Sequence, residues 1–160
     1  MSAINKHLVL EILDQASDLE ILMADIYTIF EESFSEDRNF WHQLAHEEKN
    51  HAALIRSIKS SHTMSTQFVS NLPDNLLEEN IKTKEWATSL FIKFSQNKPD
   101  RKTAFNAAIE IEKTAEEVHY QSIMTKKGDS WFIKVFQELN EYDRDHLKRI
   151  IKYVKDNKIT

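Results

Sequence analysis

Six side chains in this sequence have the types and spacing suited to holding divalent metal ions. Four are carboxylates and two are imidazoles: Glu20, Glu48, His51, Glu112, Asp143 and His146. An acid and a histidine three residues apart on a helix share one surface and can converge on one ion. Two divalent cations would balance four carboxylates in formal charge, and these oxygen and nitrogen ligands suit iron or manganese. The sequence therefore predicts a two-metal site holding two iron ions, with manganese or zinc as alternatives.

The elements that must position these residues are helices. Glycine occurs once and proline twice in 160 residues, of which 41% are hydrophobic, and this favours long helices in one compact domain. Apolar residues at helical spacing predict a single domain, 1–160, with helices at about 4–34, 36–60, 76–96, 101–127 and 130–156. A short polar turn, SEDRN, follows the first helix, and a long connection follows the second. This order predicts an all-α four-helix bundle of two antiparallel hairpins, joined by a crossover that contains an extra helix.

Each of the four bundle helices carries an acid near the middle of its apolar stripe. On the first helix the stripe consists of Val9, Leu13, Ala16, Glu20, Ala24 and Tyr27. The spacing repeats, since 28 residues separate Glu20 from Glu48 and 31 separate Glu112 from Asp143. Unpaired charges in a core lose several kcal/mol of solvation, so bound cations would have to compensate them. Solvated charges on a helix surface are the alternative interpretation.

Four stretches resemble the rubrerythrin branch of the ferritin-like superfamily of di-iron carboxylate proteins. They are EILMADIY from Glu20 to Tyr27, EKNHA from Glu48, AIEIE ending at Glu112 and continuing to Tyr120, and DRDHL from Asp143. The resemblance covers about 4–156 and implies a ferritin-like fold with the six ligands named above. It also implies that Glu20, Glu48 and Glu112 take part in catalysis, and that Tyr27 and Tyr120 hydrogen-bond the ligands. Core packing is an equally open role for the two tyrosines.

This resemblance implies a di-iron oxidoreductase that acts on peroxide or dioxygen and forms a homodimer. The chain departs from the family where Asp143 replaces a usual glutamate and where Ala115 replaces a further glutamate of rubrerythrins. It also has no cysteine, hence no rubredoxin module, so electrons would come from an external electron-transfer protein. The alternative is a non-catalytic metal-binding or iron-handling protein of the same fold. Glu116 and His119 form a further acid–histidine pair. This pair could supply extra metal ligands, or it could lie on an exposed turn that is held by salt bridges.

Composition excludes several other classes of site and partner. The lack of cysteine excludes disulfides, cysteine-ligated zinc and iron–sulfur clusters. A net charge of −5 with scattered lysine and arginine predicts no nucleic-acid or membrane-surface binding, and no stretch is apolar enough to span a bilayer. The first residues, MSAINKHLVL, lack the basic and apolar segments of a signal peptide. We therefore expect a cytoplasmic protein.

Overall fold

A computed structural model describes residues 3–60, 76–119 and 131–159, and all regular structure within these ranges is helical. The helices are α1 (Ala3–Ser33), α2 (Arg38–Ser60), α3 (Leu76–Gln96), α4 (Arg101–His119) and α5 (Trp131–Asp156), with a short 3-10 helix at Ser35–Asp37. The predicted all-α class is thus confirmed. The predicted second helix starts two residues later than expected, because its first turn is the 3-10 helix. The predicted end of the fourth helix at 127 and start of the fifth at 130 lie outside the described residues.

The helices pair as two antiparallel hairpins. In the α1–α2 hairpin, contacts run from Glu31 with His42 near the turn to Asp14 with Lys59 at the far end. In the α4–α5 pair, the Phe105 and Tyr153 rings stack near one end, and Glu112 faces His146 further along. In both pairs, residue numbers rise along one helix as they fall along the other.

Helix α3 provides the extra helix expected in the long connection. It packs along α1 in the same direction, since Lys84 binds Asp18 at 2.7 Å and the Phe94 ring lies 5.4 Å from that of Phe30. Helix α3 therefore carries the chain back towards the end of the molecule where α2 began. Asp100 then caps α4 by accepting a 2.8 Å hydrogen bond from the Thr103 amide, as its position before the helix predicts. None of the described helices combines the length and the apolar character needed to cross a membrane.

An aromatic cluster fills the core at the end of the bundle near the α1–α2 turn. Its members are almost fully buried: Tyr27, Phe30, Trp41, Phe94 and Phe105. Their rings touch in tilted and edge-to-face arrangements, with Trp41 and Phe105 centroids 4.4 Å apart. Burying each ring contributes about 2–3 kcal/mol. This packing fixes the rotation of α1, α2 and α4 about their axes, and so determines which side chains point inward one or two turns further along.

An ion pair with a buried carboxylate ties three segments together beside this cluster. Asp37, in the 3-10 helix, accepts hydrogen bonds from Arg101 Nε and Nη2, both at 2.7 Å, and from the Tyr153 hydroxyl at 3.0 Å. The Asp37 side chain is 0% exposed. The turn of the first hairpin is therefore joined to the start of α4 and the end of α5. These contacts fix the position of the two hairpins relative to each other along the helix axes.

Candidate metal centre

The middles of α1, α2, α4 and α5 bring five of the six predicted ligands into one buried cluster. These are Glu20, Glu48, His51, Glu112 and His146, and none is more than 5% exposed. Each lies on the apolar stripe of its helix, so packing of those stripes forces the acids and histidines inward. We refer to these five residues as the carboxylate–histidine cluster. The structure thus brings together five of the six residues that helical spacing predicts to face inward.

Glu48 lies at the centre of the carboxylate–histidine cluster and contacts both imidazoles. Its Oε2 is 3.0 Å from His51 Nδ1, and its Oε1 is 2.9 Å from His146 Nδ1. Two further carboxylates complete the arrangement, with Glu20 Oε2 at 3.8 Å from His51 Nδ1 and Glu112 Oε1 at 3.6 Å from His146 Nδ1. Ligand atoms of Glu48, His51 and His146 all lie within 4.8 Å of one another. These three buried residues can hold a metal ion.

The orientation of the buried polar atoms fits a cation better than a hydrogen-bonded network. His146 Nδ1 and Glu48 Oε1 are only 2.9 Å apart, yet neither makes a hydrogen bond within the described part of the chain. Glu112 Oε2 is also buried without a hydrogen bond there. Most buried polar atoms in proteins are hydrogen-bonded, and a buried carboxylate oxygen without compensation is costly. A divalent ion accepting these lone pairs would remove that cost.

Without an ion, the histidines carry the compensating positive charge. Burial alone would lower the pKa of His51, but the carboxylates of Glu20 and Glu48 outweigh it and raise that pKa to about 10. Burial opposes the charged form of His146 as well, yet Glu48, Glu112 and Glu47 raise the pKa of this imidazole further. Burial would raise the pKa of Glu48, and the His146 charge nevertheless lowers it. In the metal-free cluster, protons on the two imidazoles therefore balance two of the three carboxylate charges.

Two outer contacts hold residues of the carboxylate–histidine cluster in place. The Tyr27 hydroxyl donates a 2.5 Å hydrogen bond to Glu112 Oε1. On the other side, Glu47 Oε2 lies 3.0 Å from His146 Nε2, and Arg149 Nη2 also binds this oxygen. Burial would raise the pKa of Glu47, but its bonds to His146 and Arg149 lower it to about 2. The Glu47 carboxylate thus binds Nε2 of the His146 ring and leaves Nδ1 of that ring facing the cluster.

Sequence reasoning anticipated the Tyr27 contact as a possibility but missed Glu47 and Arg149. The signal was present, because a ligating histidine needs a partner for its second nitrogen. Arg149 lies one helical turn after His146, where it can reach such a partner. Glu47 sits 100° around α2 from Glu48, on the flank of the apolar stripe, where periodicity alone does not distinguish it from a solvated acid. Only the approach of α5 to α2 makes this flank part of the site.

No protein-family model, curated protein or solved structure matches this chain. The case for a metal centre therefore rests on the geometry of the carboxylate–histidine cluster and on the sequence motifs that form it.

Several predicted site residues fall outside the described part of the structure. The side chain of Asp143, the sixth predicted ligand, is one of them, and Tyr120 is another. The side chains of Ala115, Glu116 and His119 are likewise not described. Their assigned roles remain predictions from the sequence.

The protons held by the cluster predict how metal affinity depends on pH. A metal ion needs neutral imidazole, so binding must displace the proton from His51 and from His146. Because the folded pKa of His51 is raised to about 10, affinity should climb as pH rises from 6.5 towards 10. The slope should approach about a hundredfold per pH unit when two protons leave. Calorimetry at pH 7 in buffers of different ionisation enthalpy should detect about two protons released.

The same shift has the opposite effect on the stability of the metal-free protein. The proton on His51 binds more tightly in the folded chain than in the unfolded one. Its stabilising contribution is therefore fully present below about pH 6.5 and is lost as pH rises to about 10. Metal affinity independent of pH, with no proton release, would contradict the assignment of these histidines as ligands.

Proposed function

We propose that this chain is a ferritin-like metalloprotein whose carboxylate–histidine cluster holds two iron ions and reduces peroxide or dioxygen. The observation that carries the proposal is the position of Glu48 between the two imidazoles. His51 faces Glu48 and Glu20, whereas His146 faces Glu48 and Glu112. Two overlapping ligand sets therefore share one carboxylate. Asp143 would complete the set on the His146 side.

The arrangement of the helices supports the ferritin-like part of this proposal. Two antiparallel hairpins, with an extra helix in the long connection, are the expected topology of such bundles. One glutamate comes from each of α1 and α4, and an acid–histidine pair comes from each of α2 and α5. Di-iron carboxylate bundles distribute their ligands in the same way. The order of the motifs and the order of the helices therefore agree.

The residues around the cluster suit a redox site, since its three carboxylates and two imidazoles are buried. Two ferrous ions would supply the two electrons that convert peroxide and two protons into two waters. Glu20, Glu48 and Glu112 would neutralise the ions and keep them together. The Tyr27 hydroxyl oxygen lies 2.5 Å from Glu112 Oε1, so its proton is within reach of a carboxylate that can pass it on. A separate electron-transfer protein would restore the ferrous state, since the chain contains no cysteine for a rubredoxin-type module.

A single-turnover experiment tests this function. Metal-free protein is loaded anaerobically with two equivalents of ferrous iron and then mixed rapidly with hydrogen peroxide. Oxidation, followed by absorbance, should be more than about tenfold faster than that of free ferrous iron, and Glu48→Ala should abolish the acceleration. A matched pair of variants on α4 distinguishes an effect at the buried site from an effect at the protein surface. Glu112 is 0% exposed and Glu110 is exposed, so Glu112→Gln should slow the reaction while Glu110→Gln should leave it unchanged.

Oxidation no faster than that of free iron would overturn the redox part of the proposal. Tight binding of iron without turnover would then favour the second candidate, an iron-handling protein. Two features of the sequence favour that candidate, namely Asp143 and Ala115 in positions where the resembling family has glutamate. Parallel titrations with ferrous iron, with binding and oxidation measured on the same samples, distinguish the two functions.

A further inference from the structure

A groove of about 690 Å³ lies between α2 and α5 and ends on the carboxylate–histidine cluster. His51 and His146 line its buried inner end, while the exposed residues Glu138 and Asp145 line its outer part. Away from the groove, the fully buried rings of Tyr27 and Trp41 pack together in the core. The groove thus leads from solvent to the imidazoles, with the three buried carboxylates behind them.

The charges along this groove would attract cations. Its walls carry three carboxylates and one guanidinium, a formal charge of −2: Glu47, Glu138, Asp145 and Arg149. Behind them stand the three carboxylates of the cluster. Even with both cluster histidines protonated, the described groove and cluster residues together keep a formal charge of −3. A cleft lined by one sign of charge concentrates the opposite ion and accelerates its association.

Tyr142 partly covers the inner end of the groove. Its ring stacks on His51 with centroids 5.3 Å apart and planes 23° from parallel. Its hydroxyl donates a 3.1 Å hydrogen bond to Glu138 Oε1 on the same helix, which holds the ring in this orientation. The residue is 44% exposed, so the ring can turn outward without disturbing packed core. The ring therefore stands in the way of an ion that approaches His51 from this side.

We infer that this groove is the port through which divalent cations reach the carboxylate–histidine cluster, with Tyr142 as its lid. The inference rests on the proposed function, since it requires that the cluster binds metal. It gives a role to Glu138 and Asp145, which contact Tyr142 and Arg149 and not the cluster in the described part of the chain. Carboxylates can replace the waters of a hydrated cation one at a time as the ion moves inward.

The electrostatic part of the inference is tested by the rate of metal uptake. Metal-free protein is mixed with Co²⁺ at low ionic strength, and uptake is followed by absorbance in a stopped-flow instrument. The double variant Glu138→Gln with Asp145→Asn should take up Co²⁺ about five- to tenfold more slowly, and the difference should shrink as salt is added. The matched control is Glu78→Gln with Glu85→Gln, which removes two exposed acids of α3 and should leave the rate unchanged.

The role of Tyr142 as a lid leads to a second prediction. Tyr142→Ala should raise the association and dissociation rates of Co²⁺ by the same factor, about threefold or more, and leave the affinity unchanged. Tyr142→Phe keeps the ring over His51 and loses only the hydroxyl bond, so its rates should lie closer to those of the unaltered protein. Circular dichroism checks that each variant keeps its helices.

The two proposals fail in different ways. Normal Co²⁺ binding with rates unchanged in all groove variants would overturn the port and leave the metal site intact. A change in affinity without a change in association rate would show that Tyr142 acts as a ligand support and not as a lid. Absence of Co²⁺ binding by the unaltered protein would overturn both the port and the two-ion site.

Discussion

Loading metal-free protein with two equivalents of ferrous iron under argon should raise the midpoint of thermal unfolding by about 5–15 °C. Ions that bind only the folded chain stabilise it by about 2.7–4.1 kcal/mol when free metal exceeds the Kd a hundred- to thousandfold. In a chain of this size, each kcal/mol corresponds to about 2–4 °C. The contribution arises because the ions satisfy Glu48 Oε1, His146 Nδ1 and Glu112 Oε2, which have no hydrogen bond in the described part of the chain.

Matched variants make this result specific to the cluster. Glu48→Gln removes the carboxylate that contacts both imidazoles, so iron should no longer raise the midpoint. Glu110→Gln removes an exposed acid and should preserve the full rise. The same rise in Glu48→Gln would show that the ions bind elsewhere on the protein. No rise in the unaltered protein would argue for a structural bundle without a metal centre.

The second large effect is expected at Asp37, beside the aromatic cluster, and does not depend on metal. Arg101→Ala should lower the free energy of unfolding by about 3 kcal/mol, because it leaves the Asp37 carboxylate buried without its cationic partner. Asp37 is 0% exposed and receives two 2.7 Å hydrogen bonds from Arg101. Urea titrations at neutral pH measure the loss.

Two comparisons distinguish a buried pair from an ordinary ion pair. Lys82→Ala breaks the exposed pair with Glu78 and should cost less than about 0.5 kcal/mol. Adding Asp37→Asn to Arg101→Ala removes the unpaired charge and should recover part of the lost stability. If Arg101→Ala cost no more than Lys82→Ala, Asp37 would have to be solvated in solution.

Much of the fold follows from local patterns in the sequence. With so few glycines and prolines, apolar stripes of helical period have no competing interpretation as strands, and their acids must turn inward with them. The convergence of Glu20, Glu48 and Glu112 with two histidines could therefore be predicted. Asp37 could not, because its segment SEDRN has the composition of an exposed turn. Its burial depends on Arg101 and Tyr153, which are distant in sequence.

The groove was also beyond the reach of sequence patterns. Glu47 and Arg149 are 102 residues apart, and their contact depends on how closely α5 approaches α2. Tyr142 lies one turn before His146, which suggests a shared helix face, but its stacking on His51 of another helix requires the packed structure. Periodicity identifies the face of a helix that is buried. It does not identify which residues at the edge of that face meet across an interface.

The division of the cluster between the two hairpins has a consequence for folding. Glu20, Glu48 and His51 belong to the first hairpin, and Glu112 and His146 belong to the second. Each hairpin is built from contacts close in sequence and can form early, whereas the cluster exists only after the hairpins dock. Glu20 and Glu48 already meet within the first hairpin, whereas the charge of Glu112 joins them only when the hairpins dock. An ion bound there would link the two hairpins, so its binding energy would add to the energy of their association.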